Sequence, residues 1–134
     1  MEESIFTKII TGKVPSSKVY EDDRTLVFVD IKPIQFGQVV VVPKQQVSTV
    51  WDLSRDDYLA LMETVQRVGQ RMRSVFANKQ YTGVIIEGLE IKNHAHVKVF
   101  PFDTAEEYHR NPNSDPLLTH EVMDRVAQQL RFDD

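Results

Sequence analysis

His94-Ala95-His96-Val97-Lys98-Val99-Phe100 alternates polar and apolar side chains with period two. Successive side chains of a strand point to opposite faces, so this stretch predicts a strand over Ala95 to Phe100. Its neighbourhood places His94, His96 and Lys98 on one face and Ala95, Val97 and Val99 on the other. The apolar face is assigned to a core. The polar face gathers two imidazoles and an ammonium, which is costly unless a phosphate, a carboxylate or water meets them. Three readings of that face stay open from the residues alone. It can be a solvated sheet surface. It can be a metal site, since His-x-His on a strand supplies two ligands, although His109 and His120 stand at no recognisable ligand spacing. Or it can be an anion site in which an imidazole attacks phosphorus. A ring nitrogen is largely unprotonated near neutral pH, and the charged phospho-imidazole is a good leaving group. Attack by one ring nitrogen requires the other to carry its proton toward an acceptor, and a neighbouring backbone carbonyl serves.

Working outward, the segment Tyr81 to Glu87 reads as the strand before this one, separated from it by a loop that begins at Gly88. Upstream, Val39 to Val42 is apolar at every position before Pro43, which predicts a strand covered on both faces. Lys18 to Glu21 and Thr25 to Val29 read as a hairpin around Asp22-Asp23-Arg24. Ser4 suits the cap of a short helix through Ile5, Phe6, Ile9 and Ile10, stopped by Gly12 and Pro15. A long helix is expected from Ser54 to about Ala77. Ser54 and Asp57 suit a capping box, Leu53 can staple onto Tyr58, and Tyr58, Leu61, Met62, Val65, Val68, Met72, Val75 and Phe76 form one stripe. Asp115 and Pro116 are read as the start of a final helix bearing Leu118, Val122, Val126 and Leu130. The predicted class is therefore α+β: an antiparallel meander of about five strands packed with one long helix, a short N-terminal helix and a C-terminal helix. Residues 1–134 read as a single domain with 103–134 as a C-terminal extension.

Composition narrows the function classes. The chain has 134 residues, 41% hydrophobic and 27% charged, with no cysteine, so disulfides, thiolate zinc sites and thiol redox chemistry are excluded. A formal net charge of -4 disfavours diffuse attraction to long nucleic acids and leaves small phosphorylated ligands allowed. Met1-Glu2-Glu3-Ser4 is acidic and no sustained apolar run follows, so neither a signal peptide nor a membrane span is expected, and the chain reads as soluble and cytoplasmic.

Four further segments stand in a specific order: Ser4-Ile5-Phe6-Thr7-Lys8-Ile9-Ile10, Val19-Tyr20-Glu21-Asp22-Asp23, Phe28-Val29-Asp30-Ile31-Lys32-Pro33 and Val40-Val41-Val42-Pro43-Lys44. With Glu87-Gly88 and His94-x-His96 they resemble the histidine-triad superfamily from about Ser4 to Pro101. The resemblance implies a homodimer whose sheets join, and hydrolysis or transfer at the α-phosphate of purine nucleotides through a nucleotidyl-histidine intermediate, with no metal or other cofactor. Carried over by position, it makes His96 the nucleophile, the His94 backbone the acceptor that orients the His96 ring, and Asp30 the carboxylate that grips the ribose hydroxyls. Phe6, Ile9, Phe28, Ile31 and Val40 resemble the apolar slot for the base.

The chain departs from that pattern at three imidazoles. Lys98 replaces the last histidine of the motif, and Gln38 and Gln46 stand where histidines follow Gly37 and Pro43-Lys44-x. Lys98 can neutralise a non-bridging phosphate oxygen but cannot accept a proton while charged. Gln38 can donate and accept without titrating, so it is expected to stand in for a histidine beside the bound nucleotide's phosphate. Asn93, at the end of the short loop from Leu89, is the candidate replacement for oxyanion donors. The alternative implied by these changes is a protein of the same fold that binds or senses a nucleotide without turning it over.

Overall fold

The computed structural model describes residues 2–133. Among them, five strands form one antiparallel sheet: β1 (Lys18–Glu21), β2 (Thr25–Val29), β3 (Val39–Pro43), β4 (Tyr81–Ile85) and β5 (Val97–Phe102), in the order β1-β2-β3-β5-β4. The expected hairpin forms, with Asp22 Oδ1 accepting the amides of Arg24 and Thr25 at 2.8 Å each. The expected simple meander does not. β5 enters between β3 and β4, pairing Val40 with Lys98 on one side and Ile85 with Lys98 on the other.

The alternation of β2, β3 and β5 divides two cores. Val27, Val29, Val39, Val41, Val97 and Val99 face the long helix α2 (Arg55–Val75), whose Leu61, Val65, Val68 and Met72 are buried against them. Ser54 caps α2 through its hydroxyl, accepting from the Asp57 amide at 3.2 Å. The last helix, α4 (His120–Leu130), buries Met123, Val126, Ala127 and Leu130 in the same layer. On the opposite face Leu26, Phe28, Val40 and Val42 meet Phe6 and Ile9 of α1 (Ile5–Ile10). β3 is consequently buried at every position, as its unbroken apolar run requires.

Three boundaries differ from expectation. β4 ends at Ile85 rather than Glu87, and β5 starts at Val97 rather than Ala95. The Ala95 amide donates to the Val47 carbonyl at 2.7 Å, so the chain is tied to a loop there and not to β3. β5 also runs on through Pro101, past its last pairing with β3, where only β4 flanks it. α4 starts at His120 under a Thr119 cap rather than at Pro116, because the Leu118 amide is spent on the Ile31 carbonyl at 2.9 Å. Two short elements were not anticipated: a 3-10 turn at Val50–Asp52 and the helix α3 (Ala105–Tyr108). α3 sets Tyr108 against Phe100 and Phe102, with ring centroids 5.4 and 5.1 Å apart.

Candidate functional site

α1 does not seal the face it covers. Between it, the ends of β2 and β3, and the loop before His94 lies a cavity of about 320 Å³. Phe6, Ile9, Phe28 and Val40 form apolar wall, with Phe6 and Phe28 tilted at 5.5 Å between ring centroids. Asp30 and Ile31 border it where β2 leaves the sheet, and His96 and Lys98 border it from β5 and the residue before. The six apolar and carboxylate positions expected to hold a nucleoside therefore surround one space with two of the three motif side chains, His96 and Lys98, while Gln38 and Asn93 do not line it.

His94 takes a different place. It is fully buried, is not part of the cavity lining, and precedes the strand that was expected to carry it. Its Nε2 lies 2.8 Å from the Pro43 carbonyl oxygen, which can only accept, so Nε2 carries the proton. Nδ1 is then an acceptor and receives the Ser4 hydroxyl at 2.6 Å. Burial holds this imidazole below the ordinary histidine range, the Pro43 hydrogen bond opposes that shift, and neighbouring His96 adds to it. His94 is a neutral strut between α1, β3 and the motif.

Its carbonyl does the orienting. His96 Nδ1 lies 2.9 Å from the His94 oxygen, which forces the proton onto Nδ1 and leaves the Nε2 lone pair exposed for chemistry. No hydrogen bond joins that Nε2 to a described residue, and among the described residues no sealed side-chain nitrogen or oxygen lacks a partner. The nitrogen is thus not sealed, on a ring that borders the cavity although His96 as a whole is only 3% exposed. Phe6 packs edge-on against the ring at 5.2 Å and limits its rotation.

Lys98 is nearly buried, and its ammonium donates to Glu87 Oε1 at 3.2 Å. Sequence reasoning did not assign Glu87 a role. Its position follows from the pairing: Ile85, the last residue of β4, is opposite Lys98, and Glu87 stands two residues beyond it. That signal appears only once the pairing of β4 with β5 is known.

Gln38, expected to meet a ligand, instead lies behind the cavity. It is 1% exposed; its Nε2 donates to Asp30 Oδ2 at 2.8 Å and its Oε1 accepts the Ile34 amide at 2.9 Å. With the Lys32 amide on Oδ1 at 3.0 Å, the Asp30 carboxylate is held in one orientation. Gln46 is likewise structural, accepting from the Ser4 amide at 3.0 Å and the Thr7 hydroxyl at 2.7 Å. Asn93 is half-buried in the turn before His94 and is not among the residues around the cavity. His120, from α4, does stand on the cavity rim. Among the described residues, no three His, Cys, Asp or Glu side chains converge as a metal-holding group, and no helix is long and apolar enough to cross a membrane.

Comparison with known proteins agrees with this fold. The family model described as the HIT domain matches residues 11–105. The Protein hit of Bacillus subtilis is 35% identical over 75 residues, which are 56% of this chain and 52% of that protein, so the match spans about half the relative's length. A solved HIT-like protein from Bartonella henselae involved in cell-cycle regulation superposes with a TM-score of 0.84 at 22% identity, covering 96% of this chain and 94% of that one. A hypothetical histidine triad nucleotide-binding protein from Sulfolobus tokodaii gives 0.80 at 18% identity, covering 95% and 89%. At such identities the two structures speak for the fold.

Proposed function

This chain belongs to the HIT domain family, and from that premise we propose that it binds a purine nucleoside phosphate or its conjugate and cleaves it at the α-phosphate through His96. The observation that carries the reading is the 2.9 Å contact of His96 Nδ1 with the His94 carbonyl, beside an unpartnered Nε2 at the cavity. The nucleotide-binding description of the Sulfolobus relative supports the ligand class.

In this reading the base lies between Phe6, Ile9, Phe28 and Ile31, and Asp30 accepts the ribose hydroxyls. Nε2 attacks phosphorus, a P–N bond to His96 forms, the bond to the leaving group breaks, and the leaving atom takes up a proton from solvent. The positive charge gained by the ring is met by the His94 carbonyl through Nδ1–H. Water then attacks phosphorus and gives up a proton to solvent, the P–Nε2 bond breaks with its electron pair returning to the ring, and a nucleoside monophosphate is released. Lys98, which has N–H groups beyond the one given to Glu87, supplies positive charge to a phosphate oxygen. The outer edge of β4, where Tyr81 and Val84 are exposed, suits a homodimer in which two sheets join.

The test is a single-turnover reaction with a labelled adenosine or guanosine phosphoramidate, quenched to trap label on the protein. Label on the wild type and none on His96→Asn is expected. Equal slow turnover by both proteins overturns the catalytic reading. One observation favours a second reading: Lys98, ion-paired to Glu87, is no proton acceptor. Calorimetric binding of AMP or GMP by a wild type that turns over no ester or amidate establishes a nucleotide-binding protein instead.

A further inference from the structure

Lys98 and Glu87 form an ion pair at the phosphate end of the cavity, and each borders a different space. Lys98 lines the 320 Å³ cavity; Glu87 lines a second one of about 120 Å³ beside Trp51, Ile86 and Lys92; His96 borders both. The pair thus sits beside the one side chain that the two spaces share. The Lys98 backbone is held between Val40 and Ile85, and its nearly buried ammonium donates to Glu87. Its side chain is 11% exposed and that of Glu87 is 31% exposed, which leaves the carboxylate the more solvated and more easily released member.

Resting on the nucleoside-phosphate reading above, we propose that Glu87 is a specificity-determining residue that sets how strongly this site holds phosphate, by occupying Lys98. A phosphate arriving at His96 finds an ammonium already neutralised, and must share it with a carboxylate of its own sign. The cost falls on charged ligands only. A neutral nucleoside, held by the apolar walls and Asp30, does not engage the pair. The expected consequence is moderated affinity for the nucleoside monophosphate product, so that a site with a fixed, half-dry cation still lets it go.

The test is calorimetry of AMP and of adenosine with the wild type, Glu87→Gln, Glu87→Asp, Lys98→Met and the Glu87→Gln/Lys98→Met double variant. Freeing Lys98 in Glu87→Gln should tighten AMP about tenfold, the order of one partly screened charge interaction. That gain should fade as salt rises, Glu87→Asp should return AMP affinity toward the wild-type value, and adenosine should bind all five proteins alike. In the Lys98→Met background the same substitution should change AMP affinity by less than about twofold, because a carboxylate without its partner turns to water. Unchanged or weakened AMP binding by Glu87→Gln, or an equal shift for adenosine, overturns the proposal while the nucleotide reading stands. A wild type that binds neither AMP nor adenosine overturns that reading, and this proposal with it.

Discussion

Ser4 Oγ lies 2.6 Å from His94 Nδ1, so one hydroxyl both caps the first helix and fixes a ring 90 positions away in the chain. The same oxygen accepts the Thr7 amide at 2.9 Å, and its single proton is committed to the imidazole. Ser4 is 1% exposed, so water cannot replace either bond. Ser4→Ala should lower unfolding free energy by about 2–3 kcal/mol, combining a lost cap with an unsatisfied buried acceptor. Urea denaturation measures it, and Ser4→Thr, which keeps the hydroxyl, should recover most of the loss.

His94 should make the fold sensitive to mild acid. Its folded value lies below the ordinary 6.5, chiefly through burial. As pH falls through 6.5 the unfolded chain therefore takes up a proton that the folded chain refuses, and stability declines until the folded ring also protonates. The slope approaches at most ~1.4 kcal/mol per pH unit. Chemical denaturation of the wild type between pH 7.5 and 5.5 should show this decline. His94→Asn, whatever its absolute stability, should show a flatter profile; a profile equally steep would remove His94 as the cause.

The features written in local chemistry were legible. Asp22 made a hairpin turn, Ser4 and Ser54 made caps, and the alternation of Val97, Lys98 and Val99 sorted core from cleft, because each depends on neighbours within a few residues. What escaped depended on distant partners. The insertion of β5 between β3 and β4 is a pairing across dozens of residues, and no period-two pattern names its neighbours. His94 follows the alternation and yet leaves the cleft, since Ser4 and Pro43 capture both of its nitrogens. Gln38 shows the same limit: its type suggested a contact to ligand, and its place behind Asp30 came from the Ile34 amide that it also satisfies.

That placement makes Gln38 the test of how Asp30 is held. Gln38→Leu is close in size but leaves the Ile34 amide without its acceptor and Asp30 Oδ2 without its donor. A stability loss of about 2–3 kcal/mol is expected for a buried pair of this kind. On the proposed reading adenosine affinity should also fall, because the carboxylate is freed to rotate. Gln38→Glu should be worse than Gln38→Leu in thermal denaturation, since it sets a second carboxylate against Asp30 in a site 1% exposed.

The C-terminal segment, read from the sequence as an extension of the domain, has a position that argues for a supporting task. Arg110 donates to the carbonyls of Ile34 at 2.6 Å and Pro33 at 2.9 Å, and pairs with Asp115 at 2.8 Å. Gln35 Nε2 reaches the Glu107 carbonyl at 2.9 Å, and Lys32 Nζ the Asn113 carbonyl at 3.0 Å. Apart from the Asp115 ion pair, which holds Arg110 within its own segment, these contacts land on the loop that follows Asp30, so the segment splints that wall of the cavity. Arg110→Ala should therefore cost only about 1–2 kcal/mol in urea denaturation, given the partial exposure of the guanidinium. Its larger effect should be local. Amide exchange should quicken across residues 31–38 while β3 and α2 keep their protection. Uniform acceleration across the sheet would show that Arg110 supports the whole fold, and unchanged exchange in the loop would show that the splint does not hold it.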